Sequence, residues 1–553
     1  MMKETGRTAS MAVGKLKVSK LAACVALACL GGGISGNASA IEIATGNPDL
    51  AIRWDNTLRY LGAVRMEGRD SRIANNPTAD EGDFKFGKHQ VVANRLDLFT
   101  EMDIVYQSKY GARVSGAAWY DQAYNNDTVN TNPALTTASS YIGNKYSKFT
   151  DRYYNGPSGE LLDAFVFGNF DVGTVPVSVK AGRLSTYWGM ATFYGGGIAY
   201  GQQPVDGRKA AANPGIETKE TFLPLTQLIA QAQVTDTVSL TAQYYYEWKQ
   251  TRIPEGGTYL GGTDFLLEGP QRGGSLPFTH GADVKPGDSG NWGVNAKWTP
   301  EGFEGATIGM YYRDFDEKLF WLLRNPAAPL TYRAVYPQGT KLIGLSYDGT
   351  VGPYTLGAEL ATRRNAGLQS ASLSAAAEGA RGNTWHAAVN TTFSLPNLPV
   401  KLWDTGVVAA EINYEHLDKV TSNAALYKGV GTTACGAVNG VDDGCATRNA
   451  WGLALRVAPQ YLGVFDGVDL TVPLTYTRGL HGNSSAFGGV NEGSYSWSLA
   501  IEADIRKAAT VTLRYADSYS RIAKVVNGVA TSGQPGYTTN DRGWLSLTLK
   551  AAF

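Results

Sequence analysis

The sequence predicts an all-β protein: a transmembrane antiparallel β-barrel of about 18 strands, with short periplasmic turns and long extracellular loops. Three observations predict it, namely the C-terminal strand, an N-terminal export signal and the alternation of connection lengths along the chain. After the signal, no stretch holds 18 or more consecutive apolar residues, so a membrane-spanning helix is not expected.

The C-terminal residues, Trp544–Phe553, alternate between the two faces of a strand. One face is apolar and ends in Phe553, whereas the other carries Ser546, Thr548 and Lys550. A tilted strand needs roughly 9–11 residues to cross a membrane, so the length fits. Bacterial outer-membrane barrels end in such a strand. We therefore expect Phe553 to be the insertion signal and the barrel-assembly machinery to be a partner.

The N-terminus has the features of a secretory signal peptide. A basic region that includes Lys15, Lys17 and Lys20 precedes the apolar stretch Leu21–Leu30. Ala38 and Ala40 then form an A-x-A cleavage site. We predict that residues 1–40 are removed and that the mature chain, 41–553, is exported to the Gram-negative outer membrane.

Composition agrees with a barrel that is largely covered by lipid. Glycine contributes 66 of 553 residues, and Tyr (30) exceeds Phe (18), as expected for turns and for aromatic belts at a membrane interface. The formal net charge is zero for the whole chain. Removal of the signal peptide leaves the mature chain slightly acidic. Nothing in this charge balance suggests a nucleic acid partner; outer-membrane lipids and lipopolysaccharide are the expected surroundings.

Between the two ends, period-two stretches are separated by connections of alternating length. Short connections are predicted near Gln107–Lys109, Asp171–Thr174, Thr235–Thr237, Pro300–Gly305, Gly349–Pro353, Leu395–Asp404, Pro459–Gly467 and Asp504–Ala508. Long polar connections are predicted near 65–88, 122–159, 187–225, 251–289, 315–337, 365–382, 418–448, 478–493 and 518–541.

This alternation is typical of a membrane barrel with tight periplasmic turns and long extracellular loops. With both termini on the periplasmic side, the connections correspond to 18 strands, and a merged pair would reduce the number to 16. A soluble β-sandwich has no reason to alternate its loop lengths. The mature chain is therefore predicted to be one domain.

Two cysteines remain after signal removal, Cys435 and Cys445, and both fall in one long connection. An exported protein meets an oxidising compartment, so the pair is predicted to form a disulfide rather than two free thiols. Asp442 and Asp443 are interpreted as a solvated turn, and no metal site is expected.

Other chemistry-bearing residues do not assemble into a catalytic motif. The five histidines, His89, His280, His386, His416 and His481, accompany no nucleophile elbow or metal-binding pair, so an enzyme is not expected and no cofactor is predicted. Asp80, Glu81 and Asp83 could bridge lipopolysaccharide through a divalent ion, but a solvated acidic loop is the simpler interpretation. Charges on the predicted lumen faces are near balance, whereas a strongly ion-selective pore would have one sign in excess.

The segment 187–226 differs from the other long connections. It is rich in aromatic residues, contains three consecutive glycines (Gly195–Gly197) and carries clustered charges of both signs. Such a chain suits the inside of a lumen, although an extracellular flap is the alternative. We predict that it narrows the barrel and that charged residues form the constriction: Asp206, Arg208, Lys209, Glu217, Lys219 and Glu220.

The same segment carries a resemblance to a known family. It contains Trp188-Gly189, Thr192-Phe193, Gly195–Gly197, Pro204-Val205-Asp206, Pro214-Gly215, Glu217, Lys219-Glu220 and Leu223-Pro224. These motifs, with the opening strand Arg53–Tyr60, resemble the bacterial family known as domain of unknown function 1302. Family members usually have Glu-Ser or Glu-Thr after Trp-Gly, where this chain has Met190 and Ala191.

The resemblance implies an outer-membrane barrel, and it implies possible partners in an envelope permease and a protein of lipoprotein-sorting-like fold. We expect a channel or transport component for small, hydrophobic or aromatic solutes. The alternative is a non-transporting barrel that serves as an adhesin or as an envelope assembly partner, since long polar loops would suit that role equally.

Overall fold

The described residues of this computed structural model form a closed barrel of 18 strands, and all neighbouring strands are antiparallel. The description covers residues 41–553 except 136–137, 214–215, 217, 304, 326–329, 372–376, 396–399, 401, 437 and 439. The predicted cleavage site at Ala38 and Ala40 lies outside the described residues.

The barrel strands are, in chain order, β1 (Leu50–Arg65), β2 (Val91–Tyr106), β3 (Tyr110–Asp121), β4 (Ser158–Val172), β5 (Val175–Leu184), β6 (Leu225–Gln233), β7 (Val238–Tyr245), β8 (Trp292–Trp298), β9 (Thr307–Phe315), β10 (Thr340–Val351), β11 (Tyr354–Gly367), β12 (Arg381–Ser394), β13 (Thr405–Ser422), β14 (Asn449–Phe465), β15 (Val468–Thr471 and Leu474–His481), β16 (Tyr495–Ile505), β17 (Ala509–Tyr519) and β18 (Trp544–Ala552). Each pairs with the next along the chain.

Pairing of β18 with β1 closes the barrel. At its end, the backbone N–H of Asn56 donates to the Phe553 carbonyl at 2.9 Å, and the N–H of Phe553 donates to the Asn56 carbonyl at 3.0 Å. Closure pairs the two edge strands with each other, which matters because an unsatisfied backbone group in lipid costs several kcal/mol.

Short and long connections alternate as predicted: eight short turns and nine long loops join the 18 strands of the described chain. Some strands extend further than predicted. β14 continues through Pro459, which the sequence places in a turn, because Pro459 pairs with Gly406 and its carbonyl accepts from Val472 N at 2.9 Å. Proline has no backbone N–H to donate, but its carbonyl can still accept, and the carbonyl is the group that this strand position uses.

The outer surface of the wall is apolar at mid-height. Side chains at alternate strand positions are more than a third exposed, among them Leu98, Val114, Val166, Leu240, Met310, Leu345, Leu360, Ile412, Leu499, Leu513 and Leu547. Buried side chains, many of them polar, alternate with them on the lumen side; in β11, Glu359, Ala361 and Arg363 are buried on the face opposite the outward Leu360. A band of this kind is the lipid-facing surface of a membrane-spanning barrel.

No helix in the described part of the chain is both long and apolar enough to span a membrane. The helices are short and lie in the long connections: Ser71–Ala74, Asp80–Lys85, Lys148–Tyr154, Gly207–Ala212 and Thr218–Thr221. The connections also carry the strands Thr279–His280, Trp321–Asn325 and Thr331–Val335 and the hairpin Ile522–Val526 and Val529–Gly533.

Several long connections pack together over the end of the barrel where they emerge. Their aromatic side chains form a buried cluster that includes Phe86, Tyr124, Tyr141, Tyr146 and Tyr259. This cluster joins the connections 66–90, 122–157 and 246–291, so they are not independent loops in solvent.

The acidic loop is not solvated, contrary to the prediction. Asp80, Glu81 and Asp83 lie in a short helix, and each is at most 1% exposed. Asp83 pairs with Arg65 at 2.6 Å, and Asp80 accepts from Asn132 N at 2.6 Å. These carboxylates are buried because they hold neighbouring connections together, and the Asp83–Arg65 ion pair compensates one of the charges.

The turn at Asp442 and Asp443 also differs from its prediction. Asp443 is 2% exposed, whereas Asp442 pairs with Arg521 at 2.8 Å. The disulfide between Cys435 and Cys445 closes this loop, and the Gln534 side chain of the last connection donates to the Val441 carbonyl at 3.1 Å, so the turn is an interface between two loops.

Candidate functional site: a segment that crosses the lumen

The connection between β5 and β6, residues 185–224, enters the barrel; we call it the inner segment. Its first half is held by two glutamates of the wall. Glu359 in β11 accepts hydrogen bonds from the backbone N–H groups of Met190 (2.8 Å), Ala191 (3.3 Å) and Ile198 (3.0 Å). A single carboxylate thereby satisfies three donors in the stretch 185–206, which forms no helix or strand.

Glu411 in β13 binds the next residues of the inner segment in the same way. It accepts from the backbone N–H groups of Thr192 (2.6 Å), Phe193 (3.2 Å) and Tyr194 (2.6 Å). Charge-assisted bonds of this kind are stronger than neutral ones. Residues 190–198 are therefore wrapped around two fixed anions.

Two arginines bind the carbonyls of the same stretch. Arg313 in β9 donates to the carbonyls of Ile198 (2.9 Å) and Tyr200 (2.7 Å). Arg363 in β11 donates to the Gly196 carbonyl and stacks on the Tyr200 ring, 3.6 Å from its centroid. The wall thus supplies acceptors for the N–H groups of the segment and donors for its carbonyls.

Close approach explains the three consecutive glycines. A Cβ atom on Gly197 would lie 1.6 Å from Glu359 Oε1, and one on Gly196 would lie 2.3 Å from the Tyr194 ring. Gly195 is different, because the nearest atom to its Cβ position is 3.8 Å away. Two of the three positions therefore require glycine for space.

The second half of the inner segment is bound by ion pairs. Asp206 caps the helix Gly207–Ala212 and pairs with Arg208 at 2.7 Å and with Arg252 at 3.1 Å. Burial alone would raise the pKa of the Asp206 carboxyl, but the neighbouring cations outweigh burial and hold that pKa well below its usual range. Asp206 therefore stays ionised at neutral pH.

The same half reaches β1, β2 and β4. Glu220 and Arg59 of β1 form a bidentate pair, with distances of 2.9 and 3.2 Å, and both side chains are at most 2% exposed. Lys219 lies 3.5 Å from Glu101 of β2, and Lys209 pairs with Glu160 of β4.

These two sets of contacts lie on opposite sides of the barrel. The first half binds β9, β11 and β13, and the second half binds β1, β2 and β4. β2 and β11 are nine strands apart in a closed sheet of 18, which is half of the circumference. The inner segment therefore spans the lumen.

The charged residues that the sequence predicts at a constriction have a different setting from the expected one. Asp206, Arg208, Lys209 and Glu220 are buried in ion pairs, whereas Lys219 is exposed and lies beside Glu101. Glu217 lies outside the described residues. Lys209, Lys219 and Glu220 anchor the segment to the wall. Asp206 and Arg208 pair with each other, and Asp206 also pairs with Arg252 of the connection 246–291.

A second connection also enters the lumen, which the sequence analysis did not predict. In residues 482–494, the N–H groups of Ser485 (2.6 Å) and Ala486 (2.9 Å) donate to Glu415 of β13, and the Phe487 carbonyl accepts from Arg363 at 3.3 Å. The sequence features that pointed to this contact were Glu415 on a lumen face and the many small residues of the connection 482–494.

Open space remains between the inner segment and the wall of β14–β17. Two cavities of about 330 and 430 Å³ lie there and share Ser496 and Ser518; we call the pair the passage. The inner segment contributes Phe193–Gly195 to the first and Ala210 and Ala211 to the second. Hydroxyl groups dominate the wall side: Thr475, Thr477, Ser496, Ser498 and Ser518. The sequence signal was a run of Ser and Thr at lumen positions of β15–β17.

Two of the histidines and Asp443 contact neighbouring side chains within the fold. His386 is buried and contacts the Tyr194 hydroxyl at 2.9 Å, so it helps to hold the inner segment. His280 stacks on Tyr332 with ring centroids 4.9 Å apart. Asp443 lies close to Cys435 and Cys445, but the two sulfur atoms are bonded to each other.

The chain belongs to the family described as Protein of unknown function (DUF1302), which matches residues 21–553. Comparison with curated proteins gives no significant match.

Solved structures similar to this chain include Acinetobacter baumannii OccAB4 (TM-score 0.43, 9% identity, covering 91% of this chain and 98% of that one). Pseudomonas aeruginosa OpdK with vanillate has a TM-score of 0.39 at 10% identity, with the same coverage of 91% and 98%. Pseudomonas aeruginosa OccK2 (OpdF) in complex with glucuronate has a TM-score of 0.40 at 11% identity, again covering 91% and 98%. At these scores the likenesses assign no function to this chain.

Proposed function

We propose that this member of the DUF1302 family is a channel of the Gram-negative outer membrane that passes small solutes selectively. The carrying observation is the inner segment, which crosses the lumen between opposite walls and leaves a passage along β14–β17. A barrel with a purely structural role has no need for a chain held across its lumen by buried ion pairs.

The lining of the passage supports a class of solute. One side is rich in carbon, with Phe193, Ala210, Ala211 and Leu260, and the wall side carries hydroxyl groups. The volumes of the two cavities fall within the roughly 300–1,000 Å³ typical of small-molecule sites. Solutes with an apolar or aromatic body and a polar edge would match both sides, in line with the sequence-based prediction.

Shortening of the inner segment tests the proposal. Replacement of Gly195–Ala212 by a short Gly-Ser linker should raise the conductance of the purified barrel in planar bilayers and reduce its discrimination among solutes in liposome swelling. Replacement of the hairpin Ile522–Val526 and Val529–Gly533 by a similar linker is the control, because neither hairpin strand lines the passage. Heat-modifiable gel mobility would show that both variants are folded.

A non-transporting surface barrel is the competing role. A folded wild-type barrel that conducts no ions, together with unchanged solute uptake after deletion of the gene, would reject transport. The suggested partners, an envelope permease and a protein of lipoprotein-sorting-like fold, remain proposals that co-purification with the intact barrel would test.

A further inference from the structure

Charge along the passage has one sign on the lumen side. Among the described residues that line its two cavities, four are charged: Arg478, Arg514, Asp517 and Arg542. Arg478 follows the lumen-facing Thr477 and therefore points to the outer face, as do the exposed Leu474 and Leu480.

Asp517 is likewise on the outer face. It lies at even spacing from Leu513 and Tyr519, which are 44% and 39% exposed on the outside. Arg514 falls on the opposite face of the same strand, and Arg542 follows in the last connection. The passage therefore has two cationic side chains and, among its described lining residues, no carboxylate on the lumen side.

Four carboxylates are engaged with the chains that enter the lumen, whereas Glu502, on the lumen face of β16, is not among them and acts on Arg514. Glu359, Glu411 and Glu415 each accept backbone N–H groups of the two chains that enter the barrel. Glu317 accepts from the Tyr200 hydroxyl at 2.6 Å. Acids and bases are close to balance in the sequence, but folding commits these acids to the loops and leaves the passage positive.

Arg514 is the more available of the two cations. Its side chain is only partly buried, and its Nε has no hydrogen-bond partner within the described residues. Arg456, on the lumen face of β14, adds a second positive charge that acts on it, while Glu502 acts in the opposite direction. In a narrow space with walls of low dielectric constant, one such charge has a strong influence on passing ions.

Arg542 contributes less. It is 3% exposed, its Nη1 donates to the carbonyls of Tyr259 and Gly261, and its Nε lies 3.9 Å from Asp541. These contacts give it a role in the fold of the connections and partly compensate its charge. The test therefore concentrates on Arg514.

We infer that the passage selects small organic anions, in particular carboxylates that carry an apolar body, and that Arg514 is the residue that determines this preference. The inference rests on the proposed channel function. The carboxylate would pair with the guanidinium, and the body of the solute would contact Ala210, Ala211 and Leu260 on the opposite side.

The test uses the full-length mature barrel in planar bilayers under a KCl gradient. The reversal potential should show a preference for chloride over potassium in the wild type. Arg514→Gln should reduce that preference several-fold, Arg514→Glu should invert it, and Arg514→Lys should retain most of it. Lys524→Gln is the control, because Lys524 is an exposed cation of the hairpin in the last connection and lines neither cavity.

Liposome uptake then addresses the solute itself. Benzoate should enter faster than benzyl alcohol, and benzyl alcohol faster than benzylammonium, in the wild type and in Lys524→Gln; the order should be lost in Arg514→Gln. A conducting wild-type barrel without anion preference, or an unchanged preference in Arg514→Gln, would overturn this inference and leave the channel intact. Absence of any conductance from the folded barrel would overturn both.

Discussion

Gly197 and Glu359 are in such close contact that any side chain at residue 197 would collide with the carboxylate: a Cβ atom would lie 1.6 Å from Oε1. The same carboxylate accepts three backbone N–H groups, so it has no second position that keeps those bonds. The contact therefore couples the path of the inner segment to one residue of the wall.

Gly197→Ala should loosen the inner segment from the wall. The added methyl group must displace Glu359, and unsatisfied buried donors cost about 1–3 kcal/mol each. We expect larger and noisier single-channel conductance in planar bilayers, with the barrel still folded by gel mobility. Gly195→Ala is the control, since its Cβ meets no atom closer than 3.8 Å. Equal conductance in the two variants would contradict the role assigned to Glu359.

Glu220→Gln should detach the other half of the segment from β1. It removes the anion bound to the buried Arg59 guanidinium at 2.9 and 3.2 Å and leaves Asp97, 3.8 Å away, as the neighbouring carboxylate. Removal of one partner of a buried pair costs about 3–5 kcal/mol. The free energy of unfolding in urea would measure it. Lys145→Gln, which breaks the exposed pair with Asp127, should change that energy by about 0–1 kcal/mol.

Ionisation of the Glu255 carboxyl should make the packed long connections less stable at high pH. Burial raises the pKa of its carboxyl to about 8, from an ordinary value of 4.5. Between these values the folded state holds a proton that the unfolded state releases, so stability is full below pH 4.5 and declines as the pH rises toward 8.

Proteolysis of the connection 246–291 would report this loss, with faster cleavage at pH 8.5 than at a mildly acid pH. Glu255→Gln should reduce the difference, because glutamine carries no titrating proton; Asp264 of the same connection, whose pKa is also raised by burial, accounts for a further part. Glu268→Gln, in the same connection but more exposed and paired with Lys285, is the control and should keep the wild-type pH dependence. Identical pH profiles for the wild type and Glu255→Gln would exclude this carboxyl as the cause.

Deletion of Phe553 should lower the amount of folded barrel without a change in synthesis. Phe553 exchanges two backbone hydrogen bonds with Asn56 at the seam between β18 and β1, and its side chain is 45% exposed. Heat-modifiable mobility in membrane fractions would measure the folded amount. Phe465→Ala, at an exposed position (72%) at the end of β14, is the control. Normal folding of the deletion would show that the terminal aromatic residue is incidental.

The sequence by itself determined the barrel. Period-two alternation and loop lengths are local properties, because side chains on a strand point to opposite faces whatever the strand pairs with. They were sufficient to predict 18 strands, the order of short and long connections and the unusual character of the segment 187–226. The predicted end of β14 was less accurate, because a strand can continue through Pro459 only where a neighbouring strand donates to its carbonyl.

Only the tertiary structure decided how the lumen charges are used. Glu359, Glu411 and Glu415 have the same strand pattern as any lumen acid, yet each is engaged with a loop distant in sequence. The charges of Asp206 and Glu220 likewise became anchors because the path of the inner segment brings them to Arg252 of a neighbouring connection and to Arg59 of β1. A count of charges along the chain contains no information about such pairings, which depend on distances in the folded barrel.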